Sequence, residues 1–102
     1  MPRLRTYLQT LLEDTLGSRN VYFQPPESLK LKYPAIVYKL SNINTLFANN
    51  DPYLRDKVYQ VTLIDFNPDS EIAEKIATLP MCKFNTSFTA DNLNHFIFTI
   101  TF

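Results

Sequence analysis

From Tyr53 to Asp65 the side chains alternate: Tyr59, Val61 and Leu63 fall on one face of an extended chain, and Val58, Gln60, Thr62 and Ile64 on the other. A period of two read over this length predicts a β-strand, and a strand needs partners. The run from His95 to Phe102 (HFIFTITF) supplies one, with Phe96, Phe98, Ile100 and Phe102 on one face and His95, Ile97, Thr99 and Thr101 on the other. Met81 to Phe88 (MCKFNTSF) is a further strand, joined to the last run by the turn-forming TADNLN. Asn20 to Gln24 (NVYFQ) is short, β-prone and cut off by Pro25 and Pro26, and Ala35 to Leu40 (AIVYKL) starts directly after Pro34.

Two segments carry the other period. Leu4, Leu8, Leu11 and Leu12 recur at helical spacing, with Tyr7 and Leu16 widening the stripe, and Pro2 sits where a first turn tolerates a missing amide hydrogen. A helix over Pro2 to Leu16 should stop at Gly17, the one glycine of the chain, where a left-handed cap needs no Cβ. After the turn Asn67-Pro68-Asp69-Ser70, residues Ile72, Ala73, Ile76, Ala77 and Leu79 form a stripe opposite Glu71, Glu74, Lys75 and Thr78. This predicts a second helix from Asp69, read as its N-cap, to Leu79, ended by Pro80. Glu71 and Lys75 stand four apart in the favourable order, a pair worth about 0.3 to 0.5 kcal/mol. The expected architecture is α+β in the order α-β-β-β-α-β-β, with both helices packed on one face of a mainly antiparallel sheet, as one domain over residues 1–102.

Ten basic and ten acidic groups cancel, so the summed field draws in neither nucleic acid nor anionic lipid, and no sequence-specific nucleic-acid binding and no membrane contact are expected. The charges are polarised along the chain: residues 1–39 carry six basic and three acidic groups, residues 40–102 four and seven, a layout that suits head-to-tail contacts between copies. The one cysteine cannot close an internal disulfide, and the apolar runs fall far short of the roughly 20 residues that span a bilayer. Synthesis in a reducing cytoplasm is the expectation.

Candidate chemistry is sparse. His95 is the sole histidine and has no nucleophile motif beside it; Cys82 has no C-x-x-C partner; one Cys and one His make a poor zinc set. A single glycine leaves no G-x-G-x-x-G or P-loop for phosphate. Asp65, Asp69, Glu71 and Glu74 could be imagined as a cation site, but Asp69 reads as a helix cap and the two glutamates as solvated helix positions. Arg19, Lys30, Lys32 and Tyr33 read as a solvated loop, and Tyr22, Phe23 and Tyr38 as core or sheet-surface residues. We therefore expect no enzyme activity, no catalytic residues, no metal and no cofactor.

One segment is out of character. Ser41 to Pro52 (SNINTLFANNDP) is rich in Asn and lacks strict period, so it reads either as a long loop between strands or as the tip of a long hairpin, yet it contains Leu46 and Phe47. Apolar groups set among polar ones in Ser41 to Arg55 make this the candidate contact with a neighbouring molecule, with Asn44, Leu46, Phe47, Asn50, Tyr53 and Arg55 as its interface residues. The competing reading folds these groups back onto their own core.

The stretches GSRNVYFQPPESLKLKYPAIVYKL, DPYLRDKVYQVTLIDFNPDSEIAEKIATLP and ADNLNHFIFTITF, in this order, resemble a family of small phage proteins of Gram-positive hosts described as minor capsid or tail-completion proteins. The most specific parts are the VYFQPP turn, the Y-x-V-T-L-I-D strand leading to NPDSEI, and the closing DNLNH strand, and the likeness runs from about Gly17 to Phe102. It implies a tail terminator: a structural virion protein that caps the tail tube as a ring, a hexamer by analogy, stops tube polymerisation and joins the tail to the head. Its implied partners are further copies of itself, the tail tube protein and the head–tail connector protein, with a sheath protein added if the tail is contractile. Neighbouring roles are a head–tail connector or stopper, and the terminator or collar of a contractile phage-tail-like bacteriocin. The family has no catalytic motif to carry over.

Overall fold

A computed structural model describes residues 5–26, 30–48 and 51–102, and side chains within these except at 44–48 and 51–56. The elements follow the expected order: α1 (Arg5–Leu16), β1 (Val21–Phe23), β2 (Ala35–Ala48), β3 (Asp51–Asp65), α2 (Glu71–Ala77), β4 (Cys82–Ala90) and β5 (Leu93–Thr101). They form one five-stranded sheet in the order β1-β2-β3-β5-β4, antiparallel throughout except for the parallel β1–β2 pair. The fold is α+β with two helices, as the two periods require.

The register explains the core. Row by row, Ile36 and Tyr38 of β2 face Leu63 and Val61 of β3, and these face Phe96 and Phe98 of β5, so one apolar face runs unbroken across three strands. Leu8, Leu12 and Leu16 of α1 and Ile76 of α2 join the same cluster, which places both helices on that face. Leu8, Leu12, Ile36, Tyr38, Val61, Leu63 and Ile76 are fully buried, each such side chain being worth roughly 1.5–3 kcal/mol against its exposed state.

Tyr38 is a polar group in this core, and its hydroxyl is satisfied on both sides. It accepts from the Arg5 guanidinium at 3.0 Å and donates to Gln9 Oε1, while Gln9 Nε2 donates to the Val21 carbonyl at 2.9 Å. Arg5 also lies over the Phe23 ring, 4.4 Å from its centre. One polar chain thereby ties α1 to β1 and β2 at a fixed rotation.

Several details differ from the sequence reading. The residues expected to open the first helix, Pro2 and Leu4, lie outside the described residues. Tyr7 is 62% exposed and not part of the buried stripe, because Leu8 and Leu12 already fill the row over the sheet. Asp69 is not the N-cap: α2 begins at Glu71 with Ser70 as cap residue, and the Ser70 hydroxyl makes no cap bond, donating instead to the buried Asp65 carboxylate at 2.8 Å. Asp65 also accepts from the Asn67 amide at 3.2 Å, so the β3–α2 corner is held by the last residue of the strand. The turn before β5 tightens to Asp91 and Asn92, both left-handed (φ 54° and 62°), which suits the twist of a two-residue hairpin.

Gly17 ends α1 as anticipated, at φ 80°, with its amide on the Glu13 carbonyl at 2.8 Å, and a Cβ placed there meets nothing within 4 Å. Replacing it with Ala therefore isolates backbone strain from steric clash. Gly17→Ala should lower the unfolding free energy by about 1 kcal/mol in urea titration.

Burial sets an alkaline limit on stability. Burial raises the Tyr38 phenol above its ordinary 10.0, against the lowering by Arg5, and raises Tyr59 likewise; burial also lifts the Cys82 thiol above 9.0. Each group holds its proton more firmly folded than unfolded, so its contribution is complete below the unfolded value and is lost as pH climbs through the folded one. Urea midpoints should hold to about pH 9, fall as Cys82 of the unfolded chain ionises, and fall faster beyond pH 10 with the tyrosines. Cys82→Ser should remove the first part of the decline only.

Candidate assembly surface

Ser41 to Ala48 is strand, not loop: β2 continues through it and pairs with the first half of β3, so the hairpin alternative is the one that forms. β1 accompanies β2 only as far as Tyr38, and β5 accompanies β3 only from Val58 onward. Between them six pairs, Ile43↔Lys57 through Ala48↔Asp51, lie past both flanking strands; Phe102, just after β5, still donates its amide to the Lys57 carbonyl at 2.8 Å, and the other five pairs stand as two strands alone. At about 3.4 Å per residue this two-stranded arm is ~20 Å long. The molecule measures 52 × 28 × 23 Å with a radius of gyration of 14.7 Å, against about 13 Å for a compact chain of this length.

Of the six candidate interface residues, backbone register places five in the arm: Asn44 opposite Asp56, Leu46 opposite Leu54, Phe47 opposite Pro52, Arg55 opposite Thr45, and Tyr53 as the extra residue at the register shift beside Leu46 and Phe47. Asn50 lies outside the described residues, as do the side chains of the other five. At the arm's root Leu40 and Ile43 are 37% and 47% exposed, although Tyr38, next on the same strand, is fully buried. The core ends there.

A second exposed surface escaped the sequence reading. β4 is an edge strand, every residue from Lys83 to Thr89 is exposed, and Met81, Phe84 and Phe88 show 69%, 49% and 49% of their surface. A shift of register at Asn85 puts the two phenylalanines on opposite faces: Phe84 packs edge-on against Phe98 (5.4 Å), and Phe88 stacks flat on His95 (4.6 Å, 7°). The spacing of Phe84 and Phe88 is visible in the sequence, but which strand lies at the edge depends on pairing between distant segments.

The chemical candidates are scattered. His95 is covered by Phe88, and its Nδ1 is buried without a hydrogen-bond partner. Cys82 is half-buried on the helix-covered face, opposite Ile100, and its raised pKa keeps it a thiol. Asp65 is engaged with Ser70 and Asn67, and among the described residues no three His, Cys, Asp or Glu side chains gather as a metal set. Arg19, Lys30 and Lys32 are exposed, and Tyr33 sets its ring edge-on to Phe66 at 5.8 Å. A broad depression of about 600 Å³ lies beside Gln24, Pro25, Val37, Lys39, Gln60 and Thr62, which offer amide, hydroxyl and ammonium groups but no paired nucleophile and base. No helix among the described residues is long and apolar enough to cross a membrane.

Comparison with protein-family models, with curated proteins and with solved structures returned no match.

Proposed function

We propose that this chain is a structural subunit of a phage tail or phage-tail-like particle, a tail terminator that assembles as a ring at the end of the tail tube, stops tube growth and meets the head connector. The observation that carries the reading is the arm. A two-stranded ribbon is marginal in water on its own, so six pairs extended past the core are of most use when a neighbouring molecule completes them. The sequence resemblance supplies the kind of assembly.

Stopping a polymer needs one surface that matches the last tube subunit and another that does not offer the next one a place. A rigid domain with a projecting arm and separate sheet edges has surfaces of this kind, whereas catalysis would need convergent groups that the described residues do not bring together. The partners in this reading are further copies of the chain, the tube protein and the connector, with a sheath protein added in a contractile particle.

Two experiments test it. Particles made without this chain should carry tubes of uncontrolled length that fail to join heads; tubes of normal length and joined heads would refute the role. Replacing Phe47 and Tyr53 with Ser should leave the monomer's circular dichroism unchanged while abolishing joined particles. Undiminished particle yield would remove the arm as the contact.

A further inference from the structure

The sheet has two edges without a further strand that fit one another. β4 presents its outer side from Lys83 to Ala90 at one margin, the Cys82 amide before it being held by the Leu79 carbonyl at 3.2 Å; at the opposite margin β1 covers β2 only at Ile36 to Tyr38, leaving β2 without a third strand along the arm from Ile43 to Ala48. We infer that the outer edge of β2 in the arm of one copy pairs with the outer edge of β4 in the next, so that copies join head to tail through a continuous sheet. This deepens the assembly reading above, and its closure into a ring rests on that reading.

Three observations favour a second copy as the occupant of the β4 edge. The first is strand direction: β2 runs antiparallel to β3, β3 to β5, and β5 to β4, so β2 and β4 point opposite ways. Copies set side by side in the same sense therefore meet β2 against β4 in antiparallel fashion, as rotation about a ring axis requires. The second is length, since Ile43–Ala48 is accommodated within the nine residues of β4. The third is need: a long exposed edge carrying Phe84 and Phe88, guarded only by Lys83 and one irregularity, is a template for pairing, while the Val21–Phe23 edge at the other margin is short and closed off by Pro25 and Pro26. The two edges lie on opposite sides of the molecule, so they cannot satisfy each other within one chain.

Leu40, Tyr59, Ile100 and Cys82 stand in one row across the sheet, which puts the arm beyond the level of β4. Pairing thus offsets neighbours along the strands. Strand tilt of about 35–45° accommodates such an offset in a closed barrel.

The backbone of β4 supplies the test. Thr101 donates its amide to Met81, so by alternation Thr99, Ile97 and His95 also turn their amides toward β4, and their partners Lys83, Thr86 and Phe88 turn inward. Ser87 and Thr89 then turn their amides outward, free for a neighbour. Ser87→Pro removes one outward donor without breaking the β4–β5 ladder.

In sedimentation analysis the native chain should self-associate with rising concentration, with the Ser87 and Thr89 amides becoming protected from hydrogen exchange. Ser87→Pro should keep the monomer's circular dichroism and weaken association about tenfold or more. A native chain that stays monomeric at its highest soluble concentration, with both amides exchanging freely, overturns the inference. So does association undiminished in Ser87→Pro.

A second variant guards against misfolding by proline. With Cys82→Ser as background, Thr45→Cys and Ser87→Cys in one chain should oxidise to a ladder of linked oligomers, while Ser87→Cys alone should not. Dimers from Ser87→Cys alone would show β4 meeting β4 and overturn the head-to-tail pairing. Assembly through these edges by a chain missing from particles removes the tail reading and leaves the pairing; a particle ring with β4 freely exchanging does the reverse.

Discussion

The structure depends on a single apolar face, built where β2, β3 and β5 run side by side and covered by α1 and α2. Tyr59, Val61 and Leu63 lie at its centre, with Ile36 and Tyr38 on one flank and Phe98 and Ile100 on the other, and Leu8, Leu12 and Ile76 close it from above. Core of this kind is stabilising only where the helices reach. Beyond the row of Asn42 and Val58 the β2–β3 hairpin continues for six more pairs, the last five without a third strand. The extent of the core thus divides the described residues into a helix-covered domain and a two-stranded arm, which under the proposed function is completed by a neighbouring copy.

The polar interactions reinforce this division. Tyr38, Arg5 and Gln9 fix α1 over β1 and β2 next to the arm's root, so whatever orientation the arm adopts is referred to a firm base. At the opposite end Asp65, Ser70 and Asn94 brace the strand ends, with Asn94 donating to the Phe66 carbonyl at 3.1 Å. Neither group is arranged as a reactive centre; each saturates its own polar atoms. Apart from the buried Nδ1 of His95, the unpaired polar groups among the described residues that bear on the functional reading are those of the strand edges.

The sequence was most legible where burial was one-sided. Val58 to Ile64 and Phe96 to Phe102 alternate because one face meets the helices, and the helical stripe of Leu8, Leu12 and Ile76 is the complementary record. Ser41 to Ala48 hid their strand because a period of two is imposed by a core beneath one face, and at Leu40 and Ile43 the strand is already leaving that core. The cap at α2 was misassigned because Asp69 and Ser70 are equally good cap residues by type, and the choice turned on Asp65, a partner supplied by the fold. Whether β4 lay at an edge was not readable at all, since strand order is set by contacts between distant segments. The arm was therefore half visible, as apolar residues out of place, and the exposed β4 edge was not.

The measurement that addresses the central claim most directly is the location and stoichiometry of this chain in purified particles by cryo-electron microscopy. The account predicts a closed ring at the head-proximal end of the tail tube, each copy's β2–β3 arm laid against its neighbour. A particle lacking the chain at that position, or holding it there as isolated copies whose arms touch nothing, would contradict it.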